Sequence, residues 1–440
     1  MGGFLPNTDA ERQEMLRSLG CGSTEELYAA VPDGLRVSRL NLAPGKSELE
    51  VRRAVEALAE RNVRFSSIFR GAGSYWHYIP SVVKTVASKE EFVTAYTPYQ
   101  AEISQGILQS IFEYQTMICS LTGMDVSNAS VYDGATAAAE AVIMCQERRR
   151  SKAVVSGAVN PQVLEVIATY CASRGIPVEV VPPRDGATDA EGIRAALDGQ
   201  TACLYFQQPN YFGVLEDGQA LCALAHEAGA KAIMGVNPIA LGLVKTPGEC
   251  GADVAVGEGQ PLGIPMSFGG PYLGFMAATQ AMMRRLPGRI VGQTTDDRGR
   301  RVFVLTLQAR EQHIRREKAS SNICSNEALC ALTAGCYLSA MGPAGLADCA
   351  EQCMGKAHYL QRALCALPGF SLVYNRPFFH EFFTTCPIPG GALEELLARS
   401  GILGGLPIEG GVLWCATEQN SRDEMDRLVK VIEEASRSWN

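Results

Sequence analysis

Hydrophobic positions fall into three regimes along the chain. In residues 1–95 they recur at helical spacing, as at Leu49, Val51, Val55 and Leu58. Four Ser/Thr-x-x-Glu patterns accompany them: Thr8/Glu11, Ser23/Glu26, Ser47/Glu50 and Ser88/Glu91. In each, the hydroxyl and the carboxylate can satisfy N–H groups left unpaired at a helix start, so this region is predicted to be a helical arm. A loop rich in glycine and aromatics interrupts it over 69–80. In residues 96–310 two long helices, over 103–121 and 134–150, precede a regular alternation. Strands are predicted at 153–156, 177–181, 201–206, 231–236, 253–256 and 272–277, with helices over 161–174, 190–197 and 217–228 between the earlier ones. Near-continuous apolar strands alternating with helices predict a mostly parallel sheet covered on both faces. Residues 311–440 read as helices over 327–341 and 346–367, strands at 371–374, 381–384 and 412–415, and a last helix opened by Ser421/Glu424. The fold class is therefore α/β: a large domain with a mostly parallel sheet, then a small α+β C-terminal domain.

Composition narrows the function. The 440 residues carry 39 Lys and Arg against 47 Asp and Glu, a net charge of −8, with no basic block. Phosphate backbones demand clustered cations, so nucleic-acid binding is not expected. No run approaches the roughly 18 apolar residues of a membrane span. The N-terminus has neither a basic nor an apolar leader segment, so a cytoplasmic protein with no membrane partner is expected. Fifteen cysteines are scattered without C-x-x-C. They read as reduced core thiols. Cys349 and Cys353 share a helical face, but no His or third Cys at metal spacing follows, and no metal is expected.

Large α/β followed by small α+β suits the aspartate-aminotransferase-like architecture (fold type I) of pyridoxal-phosphate (PLP) enzymes. G-x-G-x-x-G in a strand–helix turn, G-x-x-x-x-G-K-[ST] and G-x-S-x-G are all absent. PLP chemistry needs a Lys for the Schiff base and an acid on the pyridine nitrogen. The segment after the strand at 253–256, residues 257–271, contains no Lys, and the preceding strand ends at Asn237, with no carboxylate. The scaffold of a PLP enzyme is present and two of its anchors are missing.

Several segments sharpen this. They are Arg70-Gly71-Ala72-Gly73-Ser74-Tyr75, residues 96–106 from Tyr96-Thr97-Pro98-Tyr99, and Tyr132-Asp133-Gly134-Ala135-Thr136. Further along come residues 207–213, Gly257-Glu258-Gly259-Gln260, residues 268–274, and the long stretch 310–324 containing Ser320-Ser321-Asn322. In these motifs the chain resembles the N-terminal subunits of the two-subunit P-proteins of the glycine cleavage system, the decarboxylating glycine dehydrogenases. The resemblance places Gln260 where the partner subunit has the Lys of its N-L-H-K-T motif. It implies that the partner (subunit 2, in an α2β2 assembly) binds PLP covalently. Glycine would lose CO2 there, and the aminomethyl group would pass to the lipoyl arm of the H-protein.

The resemblance further implies residues lent across the interface. Ser320, Ser321 and Asn322 are candidates for the partner's PLP phosphate, with Ser325 as helix N-cap; plain capping is the other use of the same hydroxyls. Arg70 is a candidate carboxylate holder or a surface ion pair. Tyr96 and Tyr99 are candidates for walling the substrate pocket, or for packing. Glu102 caps the helix after it or binds a cation. His77 reads as a hydrogen-bonded core histidine. Two other readings stay open: a stand-alone decarboxylase working through Lys231 or Lys245, and a scaffold that only docks its partners.

Overall fold

The structure is a computed structural model that describes residues 6–37, 40–93, 97–308, 311–323 and 325–439. The chain forms two compact units, Met1–Arg64 and Phe65–Asn440. In the first, α1 (Asp9–Ser18) and α2 (Glu48–Ala59) each open with a complete capping box, Thr8/Glu11 and Ser47/Glu50. The other two patterns do not cap. Ser23 precedes a 3-10 turn without a side-chain bond, and the Ser88 hydroxyl instead donates to Lys84 O at the end of a helix. Leu49, Val51, Val55 and Leu58 of α2 are all exposed.

The second unit opens with β1 (Ser67–Ile68), α3 (Ser81–Ala87), α4 (Glu90–Val93), α5 (Gln105–Thr122) and β2 (Val126–Ser127). The alternation follows: α6 (Gly134–Met144), β3 (Lys152–Ser156), α7 (Pro161–Ser173), β4 (Val178–Val181), α8 (Ala190–Ala196), β5 (Thr201–Gln208), α9 (Gly218–Glu227), β6 (Lys231–Val236), α10 (Pro247–Cys250), β7 (Val254–Glu258) and β8 (Gly274–Ala278). One seven-stranded sheet results, in the order β2-β8-β7-β6-β5-β3-β4. The five strands β3 to β7 run parallel, and β8 and β2 pair antiparallel at one edge. Registers of Gln208 with Val236 and of Val236 with Gly257 bring the carboxyl ends of β5, β6 and β7 level. Chain order reverses beside β3 and β5, and a crevice outside strand ends at such a point is where α/β sheets bind ligands.

Leu204, Phe206, Met234 and Ala255 fill one face of the sheet, and Cys203, Tyr205, Ile233 and Val254 fill the other. α6 is buried almost throughout because its alanines permit close approach to the sheet. A hairpin of β9 (Ile290–Thr295) and β10 (Arg301–Thr306) and the short α11 (Gln312–Arg315) lead to α12 (Ala328–Cys365). α12 is long and apolar enough to cross a membrane by length and composition alone. Here it is a core helix: Ala331, Ala334, Tyr337 and Ala350 pack under the large sheet, and Ala357, Leu360 and Leu364 enter a second core. The expected break between two helices falls at Gly342 (φ 62°, ψ 178°), just before Pro343. The second core belongs to β11 (Glu381–Thr384), α13 (Gly390–Arg399), β12 (Ile402–Leu403), β13 (Leu406–Ile408), β14 (Gly411–Cys415) and α14 (Arg422–Trp439).

Three local expectations need correction. The helix after Glu102 begins at Gln105, so Glu102 lies in a 3-10 turn and does not cap it. Glu327, not Ser325, is the N-cap of α12, and its side chain makes no cap bond. Residues 371–374 form no strand; only Leu372 bridges to Thr384.

Candidate functional site

A cavity of about 570 Å³ opens at the carboxyl ends of the parallel strands, walled by Ala72, Ser74, Asp133, Gln207, Asn237 and Glu258 among others. The floor is the N-terminus of α6, where unpaired backbone N–H groups make a natural anion site. In this chain its own carboxylates occupy two of those donors, Gly134 N and Thr136 N. Asp133 is the N-cap and accepts from Thr136 N at 2.7 Å. Glu258, the last residue of β7, accepts from Gly134 N at 2.9 Å with Oε2, and from Gln260 N and Leu273 N at 2.9 and 3.0 Å with Oε1. A Cβ on Gly134 would stand 2.8 Å from Glu258 N, so only glycine lets the strand end meet the helix this closely. Burial, aided by the nearby Asp133 charge, pushes the Glu258 carboxyl up to about 7 against the pull of its three N–H donors.

Gln260 is 2% exposed and fully engaged. Its Oε1 accepts from Tyr75 N at 2.8 Å, and its Nε2 donates to Tyr75 O and Ile264 O at 3.0 and 2.8 Å. The side chain staples the 70–75 loop to the segment after β7. Asn237 is equally committed: Oδ1 accepts from Ile239 N and Ala240 N, and Nδ2 donates to His380 Nε2 at 3.4 Å. Burial holds the His380 imidazole down at about 3, hence neutral. The cavity therefore offers no amine, the neutral Asn237 where a pyridinium needs an acid, and two carboxylates on N–H groups that a phosphate would need. Its residues do not fit PLP. Neither alternative lysine helps. Lys231 starts β6, at the end away from the cavity, and is paired with Asp253, while Lys245 donates to Gln219.

The candidate residues divide into two places. Arg70 is spent within the fold: Nη2 lies 2.7 Å from Glu394 Oε1 and 2.9 Å from Gly405 O, and Nε donates to Gly404 O. Farther along the same loop, Glu381 accepts from Ala72 N at 2.6 Å and Tyr75 Oη at 2.8 Å. Tyr96 lies outside the described residues. Tyr99, half exposed, meets a residue that motif reading missed, Arg289. The Arg289 guanidinium is buried, donates to Tyr99 Oη at 2.9 Å and Asn326 Oδ1 at 3.1 Å, and stacks 5.1 Å from the Tyr99 ring centroid. Its Nε has no hydrogen-bond partner, and no carboxylate pairs with it among the described residues. His313 lies edge-on to Tyr99. Ser320 and Asn322 are exposed, whereas Ser321 is buried with its hydroxyl accepting from Ile323 N. A lone Arg in an unremarkable strand approach carries no sequence signal, which is why Arg289 escaped notice.

A family profile described as the glycine cleavage system P-protein matches residues 3–432. A relative from Moorella thermoacetica, named probable glycine dehydrogenase (decarboxylating) subunit 1, is 52% identical over 97% of this chain and 98% of its own. One of the same name from Desulforamulus reducens is 49% identical over the same shares. Among solved structures, an inhibitor-bound glycine decarboxylase (P-protein) of the glycine cleavage system is similar with a TM-score of 0.92 and 40% identity, covering 98% of this chain and 100% of that one. A sphingosine-1-phosphate lyase from Burkholderia pseudomallei shares the fold at 16% identity and a TM-score of 0.67, covering 93% of this chain and 94% of that one. The chain belongs to the glycine cleavage system P-protein family.

Proposed function

We propose that this chain is the subunit of a glycine-decarboxylating P-protein that holds no cofactor of its own and completes the PLP site of a second subunit. The observation that carries it is Gln260, locked by three hydrogen bonds, together with Asp133 and Glu258 on two N–H groups at the start of α6; the resemblance to the two-subunit enzymes supports reading Gln260 as the Schiff-base position. The subunit naming of the relatives supports a partner chain. The contribution across the interface centres on Arg289, Tyr99 and the 320–326 segment. A buried cation without a carboxylate partner among the described residues is suited to an anionic group from outside, such as a phosphate or the glycine carboxylate. Arg70, by contrast, is proposed to hold the loop rather than touch substrate. The aminomethyl acceptor is proposed to be the lipoyl arm of an H-protein.

The test is co-expression with the PLP-bearing subunit and assay of glycine–bicarbonate exchange. This chain alone should show no exchange, and borohydride should trap cofactor on the partner only. Arg289→Ala in the complex should lower exchange at least about tenfold. Unchanged exchange in an intact complex would favour the docking-scaffold reading, and cofactor trapped on this chain would overturn the proposal.

A further inference from the structure

Away from the cavity, the second half of α12 faces the aromatic loop and the segment after β14 across a buried polar cluster. His77, Cys349, Cys353 and Glu418 each present a ligand-type atom, and the four atoms all lie within 4.8 Å of one another. Cys349 and Cys353 are one turn apart on the same helical face, and both are buried. His77 Nδ1 lies 2.7 Å from Glu418 Oε2, and Cys353 Sγ lies 3.3 Å from that same oxygen. The His77 side chain is only 2% exposed, yet its Nε2 has no hydrogen-bond partner. Tyr337 Oη, on the same helix, is also buried and unpartnered. Unpaired buried polar atoms are rare because each forfeits its hydration without return.

We propose that His77, Cys349, Cys353 and Glu418 form a tetrahedral zinc site. Two thiolates, an imidazole and a carboxylate are the ligand types zinc selects, and four protein ligands with little exposure describe a structural site. A bound ion gives the orphaned imidazole nitrogen a partner. Binding is proton exchange without redox change: each thiol releases its proton as its metal–sulfur bond forms. Charge is compensated, since two thiolates and the carboxylate face a dication and Lys356, whose ammonium donates to the Glu418 carbonyl. A second cavity, of about 340 Å³ and lined by Tyr78, Asp348, Cys349 and Glu418, reaches the cluster and gives the ion access. The ligands come from three distant stretches of chain, so the ion would clip the 75–78 loop to α12 and to the C-terminal strands. Tyr75, two residues from His77, is held by Gln260, so the clip also steadies the loop over the main cavity.

The experiment uses the full chain, freed of metal with a chelator and titrated with Co2+ alone, then with Zn2+. The expected result is one equivalent of Co2+ per chain with thiolate-to-cobalt charge-transfer absorption, displaced by Zn2+. Cys349→Ser and Cys353→Ser should each abolish that absorption while the circular dichroism is kept, and Glu418→Gln should weaken affinity by about 10- to 100-fold. Should the serine variants fail to fold, wild-type thiol titration decides: Zn2+ should shield two thiols that the metal-free chain exposes on opening. Absence of charge-transfer absorption, its persistence in the serine variants, or unshielded thiols would each overturn the site.

Discussion

At the residue scale, Gln260 is more than a missing amine. Its side chain is a staple, with an acceptor and two donors matched to the Tyr75 backbone and Ile264 O. Gln260→Lys removes the acceptor for Tyr75 N and introduces a cation at a 2% exposed position. It should lower stability by about 3 kcal/mol in urea unfolding and still take no borohydride-trapped PLP, because Asp133 and Glu258 stay on two N–H groups of the α6 N-terminus and repel a phosphate. Glu381 makes a pH-dependent counterpart. Burial raises its carboxyl from 4.5 to about 7 despite the Ala72 and Tyr75 donors. The folded chain therefore keeps a proton that the unfolded chain gives up, so this contribution is full below 4.5 and lost as pH rises through about 7. Glu381→Gln keeps the shape and does not titrate. Its stability relative to the native chain should improve from ~pH 4 to ~pH 8 by up to about 3 kcal/mol, measured by urea unfolding at each pH. No gain across that range would mean that Glu381 is charged in the fold. Sequence revealed that Gln260 lacks an amine, because that needs only an identity. It did not reveal the stapling, because Tyr75 and Gln260 are 185 positions apart.

At the element scale, the longer helices and the parallel strands were legible because they repeat their apolar period over several turns or a whole buried strand, as β5 does, whereas the four-residue α10 was not. The β9–β10 hairpin was not, since β9 turns polar over Gly292, Gln293, Thr294 and Thr295 and loses its alternation. Capping patterns were half legible. Thr8 and Ser47 precede real helix starts, whereas Ser88 ends a helix, and local sequence does not distinguish the two. The kink in α12 was visible as the gap between the helices expected over 327–341 and 346–367, and the backbone there explains Gly342. With φ 62° and ψ 178°, a side chain there is strained even though nothing stands within 4 Å of an added Cβ. Gly342→Ala should cost about 1–3 kcal/mol in thermal unfolding. Gly335→Ala, in the regular first half of α12, where an added Cβ only touches Tyr114 at 4.0 Å, should be neutral or stabilising by up to about 1 kcal/mol. Equal effects at the two positions would show that the break is not a fixed feature of the helix.

At the scale of the whole molecule, the chain is best understood as a surface to be completed. Its cavity sets its own carboxylates on two N–H groups of the α6 N-terminus, and on the proposed function the buried Arg289 guanidinium, whose Nε has no hydrogen-bond partner, awaits a group supplied from elsewhere. The Met1–Arg64 unit adds an apolar stripe on α2, with Val55 58% and Leu58 60% exposed. On the proposed function, this stripe is where the second subunit covers the arm, because several large apolar side chains on one helix face are otherwise left in water. The double variant Val55→Asp/Leu58→Asp should fold as the native chain does, since neither side chain contributes to a core. It should nonetheless lose co-elution with the PLP-bearing subunit in size-exclusion chromatography. The same variant separates assembly from chemistry. If it still binds the partner but exchange fails, the arm acts on the site and not on the interface. If binding and exchange are both intact, the stripe serves neither, and assembly must rest on the face that carries Tyr99, Arg289 and the 320–326 segment.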